Sequence, residues 1–124
     1  MDLDLFAEYF TTHLPINALI YDQRCFGSSD GKPRYEALPS LQMSDLQDAI
    51  TFAQSLEQVN PGKIAIWGTS YSGGHCLQVA AFDRRVKAVL VQAPVTYGSE
   101  LARRFVRIDH GPTVQRVFEI GWRL

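Results

Sequence analysis

The residues best suited to chemistry lie between Ile64 and His75, I-A-I-W-G-T-S-Y-S-G-G-H, where a short apolar run breaks into glycine, serine and glycine. A buried strand that turns sharply into a helix presents a side chain at the apex, and a serine there exposes a reactive hydroxyl. The spacing marks Ser70 as a candidate catalytic nucleophile. A residue in that position is held in strained backbone, so the positions two before and two or three after it must be small for strand and helix to approach closely. Gly68, Ser72 and Gly73 meet that demand, although Ser72 stands where a strict G-x-S-x-G pattern has glycine. Because Ser70 opens the helix, the backbone N–H of Tyr71 can point at a developing oxyanion. The competing readings are a phosphate-cradling glycine loop and a plain tight turn. Neither G-x-G-x-x-G nor G-x-x-x-x-G-K-[ST] occurs, which weakens the nucleotide alternative.

The elements around this turn follow from apolar spacing. Phe6, Tyr9, Phe10 and Leu14 recur at helical intervals with Asp2 or Asp4 as cap, so residues 4 to 13 are predicted helical and Pro15 ends them. Ile16 to Tyr21 is an apolar run that predicts a strand, followed by a long loop rich in Gly, Ser, Asp and Pro up to Pro39. Leu46, Ile50, Ala53 and Leu56 predict a second helix, with Ser44 or Asp45 suited to the cap and Asn60-Pro61-Gly62 beyond its end. Lys63 to Trp67 then reads as a strand, Ser72 to Phe82 as a helix, and Val86 to Val91 as a strand rich in β-branched residues.

Helices alternating with continuous apolar strands predict an α/β fold: a three-layer domain with a mainly parallel sheet of about three strands and helices on both faces. Beyond Gly98, Leu101, Phe105 and Ile108 mark a further helix whose other face carries Arg103, Arg104 and Arg107, read as a solvated face rather than an anion site. The sequence shows no repeat, linker or low-complexity tract, so one domain is the simplest count, with 1–98 as its core and 99–124 helical, the start of a cap region.

Composition excludes several partners. Twelve basic and thirteen acidic residues leave a formal net charge of −1, so no global field attracts nucleic acid or an anionic membrane. No apolar run approaches the roughly 20 residues that span a bilayer. Two cysteines, Cys25 and Cys76, cannot build a disulfide framework and suit a reducing compartment. The acidic start M-D-L-D-L-F-A-E-Y-F does not read as a signal peptide. Trp122-Arg123-Leu124 falls short of a peroxisomal address, so the expected location is intracellular and cytoplasmic.

The loop Tyr21-Asp22-Gln23-Arg24-Cys25-Phe26-Gly27-Ser28-Ser29-Asp30-Gly31 resembles the Y-D-x-R-G-x-G-x-S-x-G loop that follows the fourth strand of α/β-hydrolases. With W-G-T-S-Y-S-G-G-H and the run from Asp83 to Pro94, the chain from about residue 3 to 119 is similar to one fungal branch, the polyketide transferases and related hydrolases of secondary-metabolite and toxin clusters. Cys25 departs from the pattern, which has glycine. The resemblance implies acyl transfer on a small-molecule ester or thioester of a polyketide-type acyl chain: Ser70 attacks the carbonyl and the acyl group passes to water or an alcohol. It implies no metal and no organic cofactor and sets no oligomeric state. Asp22 and Arg24 read as braces of their loop through local hydrogen bonds rather than as substrate contacts.

The resemblance also places the triad in the chain order serine, acid, histidine. After Ser70 the histidines are His75 and His110. His75 lies in a helix leading away from Ser70 and reads as a packing or surface residue. Asp109 and His110 are the remaining triad candidates, yet as sequence neighbours they are ill placed to align as an acid–imidazole pair. In the resembled family both partners would come from strands past Leu124, and the second oxyanion donor from a loop before Met1. On that reading the chain is a truncated form of the family's core. The family's third strand would also sit between Ile16–Tyr21 and Lys63–Trp67, so these two runs must pair directly or leave backbone groups unpaired, each costing about 1 to 3 kcal/mol. The alternative function is a catalytically inactive product or a binding module.

Overall fold

The computed structural model describes residues 3–105 together with Pro112. Its elements are α1 (Leu3–His13), α2 (Pro39–Ser55), β1 (Ile64–Thr69), α3 (Ser70–Phe82), β2 (Val86–Gln92) and α4 (Gly98–Phe105).

The centre is a β–α–β unit. β1 and β2 pair in parallel, Trp67 opposite Leu90 and Gly68 opposite Val91, with α3 as the crossover between them. Parallel strands require such a crossover, because no tight turn can bring the chain back in the same direction. The register slips between Ile64 and Ala65, which pair with Val86 and Ala88 and leave Lys87 out of the ladder. Along β1 the side chains alternate: Ile64, Ile66 and Gly68 are buried, whereas Ala65 is exposed.

One face of the sheet carries the core. Ile64 and Ile66 pack with Cys76 and Val79 of α3 and Ile50 of α2, flanked by Met43, Leu46, Ala53, Val89 and Val91. α1 lies against the other face at Trp67, whose ring is 5.3 and 5.9 Å from those of Phe6 and Phe10, while Ala65, Ala88 and Leu90 on that face stay exposed. Helices therefore stand on both sides of a parallel sheet, as the sequence predicts. α1 itself buries no residue fully, and Leu5 and Tyr9 remain more than half exposed.

Two predictions about elements are corrected. Ile16 to Tyr21 is not a strand, so the sheet has two strands among the described residues rather than about three. A strand exists through its ladder, and this run has no ladder partner: Ile16 to Ile20 are exposed, and the segment is tied down by Asn17, whose amide donates to the Gln58 carbonyl at 3.0 Å. Direct pairing with β1, one of the two outcomes foreseen, does not occur. The second correction concerns α2, which starts at Pro39 and not near Ser44 or Asp45. Proline suits the first helical turn because its fixed φ is already helical and its missing N–H has no partner to lose. Asp45 is engaged elsewhere: it accepts the Arg24 backbone N–H at 3.0 Å and pairs with the Arg24 guanidinium.

Candidate active site

β1 ends at Thr69 and α3 begins at Ser70 with no intervening loop. Ser70 has φ 52°, left-handed backbone that costs an L-residue with a side chain about 1 to 3 kcal/mol and persists only where surrounding contacts hold it. Its side chain is exposed, and Tyr71 after it is also exposed.

Close packing explains the small residues. A Cβ on Gly68 would lie 2.7 Å from the Ser72 carbonyl oxygen and 2.8 Å from Cys76 Sγ. One on Gly73 would meet Pro94 at 3.2 Å. Ser72 does more than stay small: its hydroxyl accepts the Thr69 N–H at 3.1 Å and donates to the Thr69 carbonyl at 2.8 Å. The residue that departs from the glycine pattern thus clamps the last peptide groups of β1 to the first turn of α3.

Gly74 was not singled out by sequence reasoning. A Cβ there would run into the Val95 carbonyl, because the segment after β2 folds back over the start of α3. Ala93, with φ 44°, makes that reversal, and the Val95 N–H then donates to the Ser70 carbonyl at 2.9 Å. The signal lay in the second glycine of the pair, but its partner is 21 residues away and could not be named from the sequence.

The histidines do not complete a triad among the described residues. His13 is engaged through Nδ1 with the Tyr9 carbonyl at 2.8 Å and stacks on the Tyr9 ring. His75 is buried, its ring edge-on to Tyr71 at 4.5 Å, and its Nδ1 has no hydrogen-bond partner among the described residues. Burial lowers its pKa and favours neutral imidazole. Of the two readings given to His75, packing is the one observed. Asp109 and His110 lie outside the described residues, as does most of the predicted cap.

Asp22 braces the neighbouring loop locally, as expected, whereas Arg24 ties it to α2 and makes no local bond of that kind among the described residues. The Asp22 carboxylate accepts the Ser28 N–H at 2.8 Å, its carbonyl accepts the Ser29 hydroxyl at 2.6 Å, and Arg24 is bonded to Asp45 on α2. Cys25, where the pattern has glycine, takes φ 69° and is held by the Asp30 carbonyl and the Tyr35 N–H. Tyr21, beside this loop, is pushed up to about 12 by burial and by the negative charge of Asp45. Both cysteines are buried and unpaired, and burial raises the Cys76 pKa. Among the described residues no three His, Cys, Asp or Glu side chains form a metal-binding group. No described helix is long and apolar enough to cross a membrane.

A parallel β–α–β unit with a strained serine at the strand-to-helix junction defines the class, and the match to solved structures agrees. The α/β hydrolase GrgF from Penicillium sp. sh18 superposes with a TM-score of 0.72 at 33% identity, over 95% of this chain and 39% of that one. Within that class the chain belongs to the X-Pro dipeptidyl-peptidase (S15) family, whose sequence model matches residues 17–117. It is 43% identical over 98 residues to the quorum-quenching protein AidA of Acinetobacter baumannii, covering 79% of this chain and 32% of that protein. It is also 45% identical over 94 residues to the polyketide transferase claH of Penicillium crustosum, 76% of this chain and 30% of that one. The chain therefore spans about a third of the length of these relatives, and the similarity reaches a bacterial protein as well as the fungal branch.

Proposed function

We propose that this chain carries the nucleophile of a serine-dependent acyl hydrolase or acyltransferase acting on an ester or thioester of a polyketide-type acyl chain. The observation that carries the reading is Ser70 itself, exposed and held at φ 52° between β1 and α3. The names of the relatives, polyketide transferase, thiohydrolase and acyltransferase, share one chemistry: attack at an acyl carbonyl and transfer of the acyl group.

In this scheme Ser70 Oγ bonds to the carbonyl carbon while its proton passes to a base. The carbonyl oxygen becomes an oxyanion and accepts the Tyr71 N–H. Collapse expels the thiolate or alkoxide, and water or an alcohol then takes the acyl group from Ser70. Gly68, Ser72 and Gly73 hold the turn. The acid and histidine are assigned to residues outside those described; Asp109 and His110 are the candidates within this chain.

The test is labelling by a fluorophosphonate. Covalent label on the wild-type chain that disappears in Ser70→Ala supports the reading, and a folded chain that takes no label overturns it for this chain. The second reading, a catalytically inactive binding module, is favoured by one observation: no described residue hydrogen-bonds the Ser70 hydroxyl as a base would. It predicts a folded chain without label.

A further inference from the structure

We infer that the backbone N–H of Val95 is a positioning group for the oxyanion donor, acting through the peptide group that Ser70 and Tyr71 share. The inference rests on the acyl-transfer reading above and adds to it a role for the segment after β2.

The Ser70 carbonyl and the Tyr71 N–H are two ends of one planar peptide unit and point in opposite directions across it. Whatever fixes the carbonyl also fixes the N–H. The Val95 N–H donates to the Ser70 carbonyl oxygen at 2.9 Å from outside α3. Together with the first turn of α3 it braces, from outside the helix, the peptide plane whose other end is the Tyr71 N–H, next to the exposed Ser70. A hydrogen bond to the oxygen of an amide also draws electron density from its nitrogen, which strengthens the N–H as a donor, by roughly 10 to 30% per bond in condensed-phase estimates.

Three further features serve the same approach. Ala93 takes left-handed backbone, φ 44°, at the end of β2, so the strain at Ser70 is matched by strain at the end of the adjacent parallel strand. Gly74 is required because any Cβ would strike the Val95 carbonyl. Gly73 lets Pro94 settle against α3 at distances a Cβ would make tight. Together they bring one peptide N–H onto one carbonyl. Val95 and Gly74 touch no reacting atom in the scheme; they act by holding the peptide that does.

The decisive experiment replaces the peptide N–H of Val95 by an ester oxygen, through incorporation of the α-hydroxy analogue of valine, which keeps the side chain, removes the donor and weakens only the Pro94 carbonyl as an acceptor. The same change at Thr96, an exposed residue whose N–H makes no backbone hydrogen bond among the described residues, is the control. Two quantities are measured: the Tyr71 amide resonance, and the second-order rate of fluorophosphonate labelling at Ser70. The inference expects the Tyr71 amide to move upfield and labelling to slow about tenfold in the Val95 ester. That loss is smaller than the hundredfold or more from deleting an oxyanion donor outright, because the Tyr71 N–H is still present. The Thr96 ester should behave as wild type, and Gly74→Ala should shift both readouts in the same direction as the Val95 ester.

An unmoved Tyr71 resonance, or labelling at the wild-type rate in the Val95 ester, overturns the inference while leaving the acyl-transfer reading intact. A folded wild-type chain that takes no label overturns the acyl-transfer reading, and the assignment to Val95 falls with it. Should Gly74→Ala fail to fold, the ester variant alone decides.

Discussion

Replacing Gly68 by alanine tests the packing of the serine turn without touching the serine. Gly68 is not among the positive-φ glycines, so its torsions suit alanine and only space opposes the change. A Cβ would sit 2.7 Å from the Ser72 carbonyl oxygen, 2.8 Å from the Ser72 carbonyl carbon and 2.8 Å from Cys76 Sγ. Two of the three are backbone atoms in the first turn of α3, which cannot swing aside as a flexible side chain would. Overpacking of a well-packed site typically costs 1 to 3 kcal/mol, and immovable neighbours put Gly68→Ala near the upper end, about 3 kcal/mol. With an unfolding entropy of about 2.1 cal/mol/K per residue, that loss lowers the melting midpoint by roughly 11 °C in a chain of this length. The assay is thermal unfolding followed by circular dichroism, with Gly98→Ala as the control, since no atom lies within 4 Å of a Cβ built on Gly98. Adding Cys76→Ala to Gly68→Ala relieves the sulfur contact but not the carbonyl. The double mutant should therefore recover only part of the loss, after allowance for Cys76→Ala alone. A Gly68→Ala protein that melts within about 2 °C of wild type would refute the reasoning.

Ser72→Ala removes both bonds to Thr69 and should cost about 1 to 2 kcal/mol in urea unfolding, with Ser72→Gly no better, because the hydroxyl and not the small size is lost in each. Asp83, buried and hydrogen-bonded to Arg85, has its pKa held below the usual carboxylate range, chiefly by that hydrogen bond. The folded carboxyl thus binds its proton less readily than the unfolded one, so its stabilisation is complete above about pH 5 and is lost as pH falls through the folded value. Unfolding midpoints measured from pH 5 down to pH 2 should show this loss, and Arg85→Met should flatten it. Tyr21, pushed up to about 12, should ionise later than an ordinary tyrosine. In a titration followed by absorbance, the amplitude lost in Tyr21→Phe should come from the end of the curve.

What could be read from the sequence divides by the range of the contacts involved. Gly68 and Ser72 were legible because the demand for small residues arises within the turn itself, from chain neighbours on strand and helix; Gly73 was legible from its place in the same pattern, although the atoms nearest a Cβ there belong to Pro94. Gly74 was not, since the carbonyl it must clear belongs to Val95 in a segment across β2. The start of α2 shows the same limit. Asp45 has the chemistry of a cap, but it is occupied by Arg24 from 21 residues earlier, and the helix runs on to Pro39. Ile16 to Tyr21 has the same apolar character as β1, yet composition supplies only the tendency to form a strand, and the partner decides whether one forms. His75 illustrates the reverse case. Its place in α3 favoured a packing role, but nothing local disclosed that it would be buried with Nδ1 unpartnered among the described residues.

The candidate site is therefore more self-contained than the domain around it. Strain at Ser70 is held by the Ser72 hydroxyl on Thr69 and by the Val95 N–H on the Ser70 carbonyl, and every one of these residues lies in or directly beside the β1–α3–β2 unit. Neither α1, with Leu5 and Tyr9 in solvent, nor the exposed run from Ile16 to Ile20 contributes a bond to it. The geometry at Ser70 can thus be specified by a short stretch of chain even though the sheet has only two strands. A general base cannot be specified in this way, because an imidazole must approach the hydroxyl from outside the strand-turn-helix that presents it. That difference explains why the sequence marks a candidate nucleophile so plainly and offers no comparable candidate for its base.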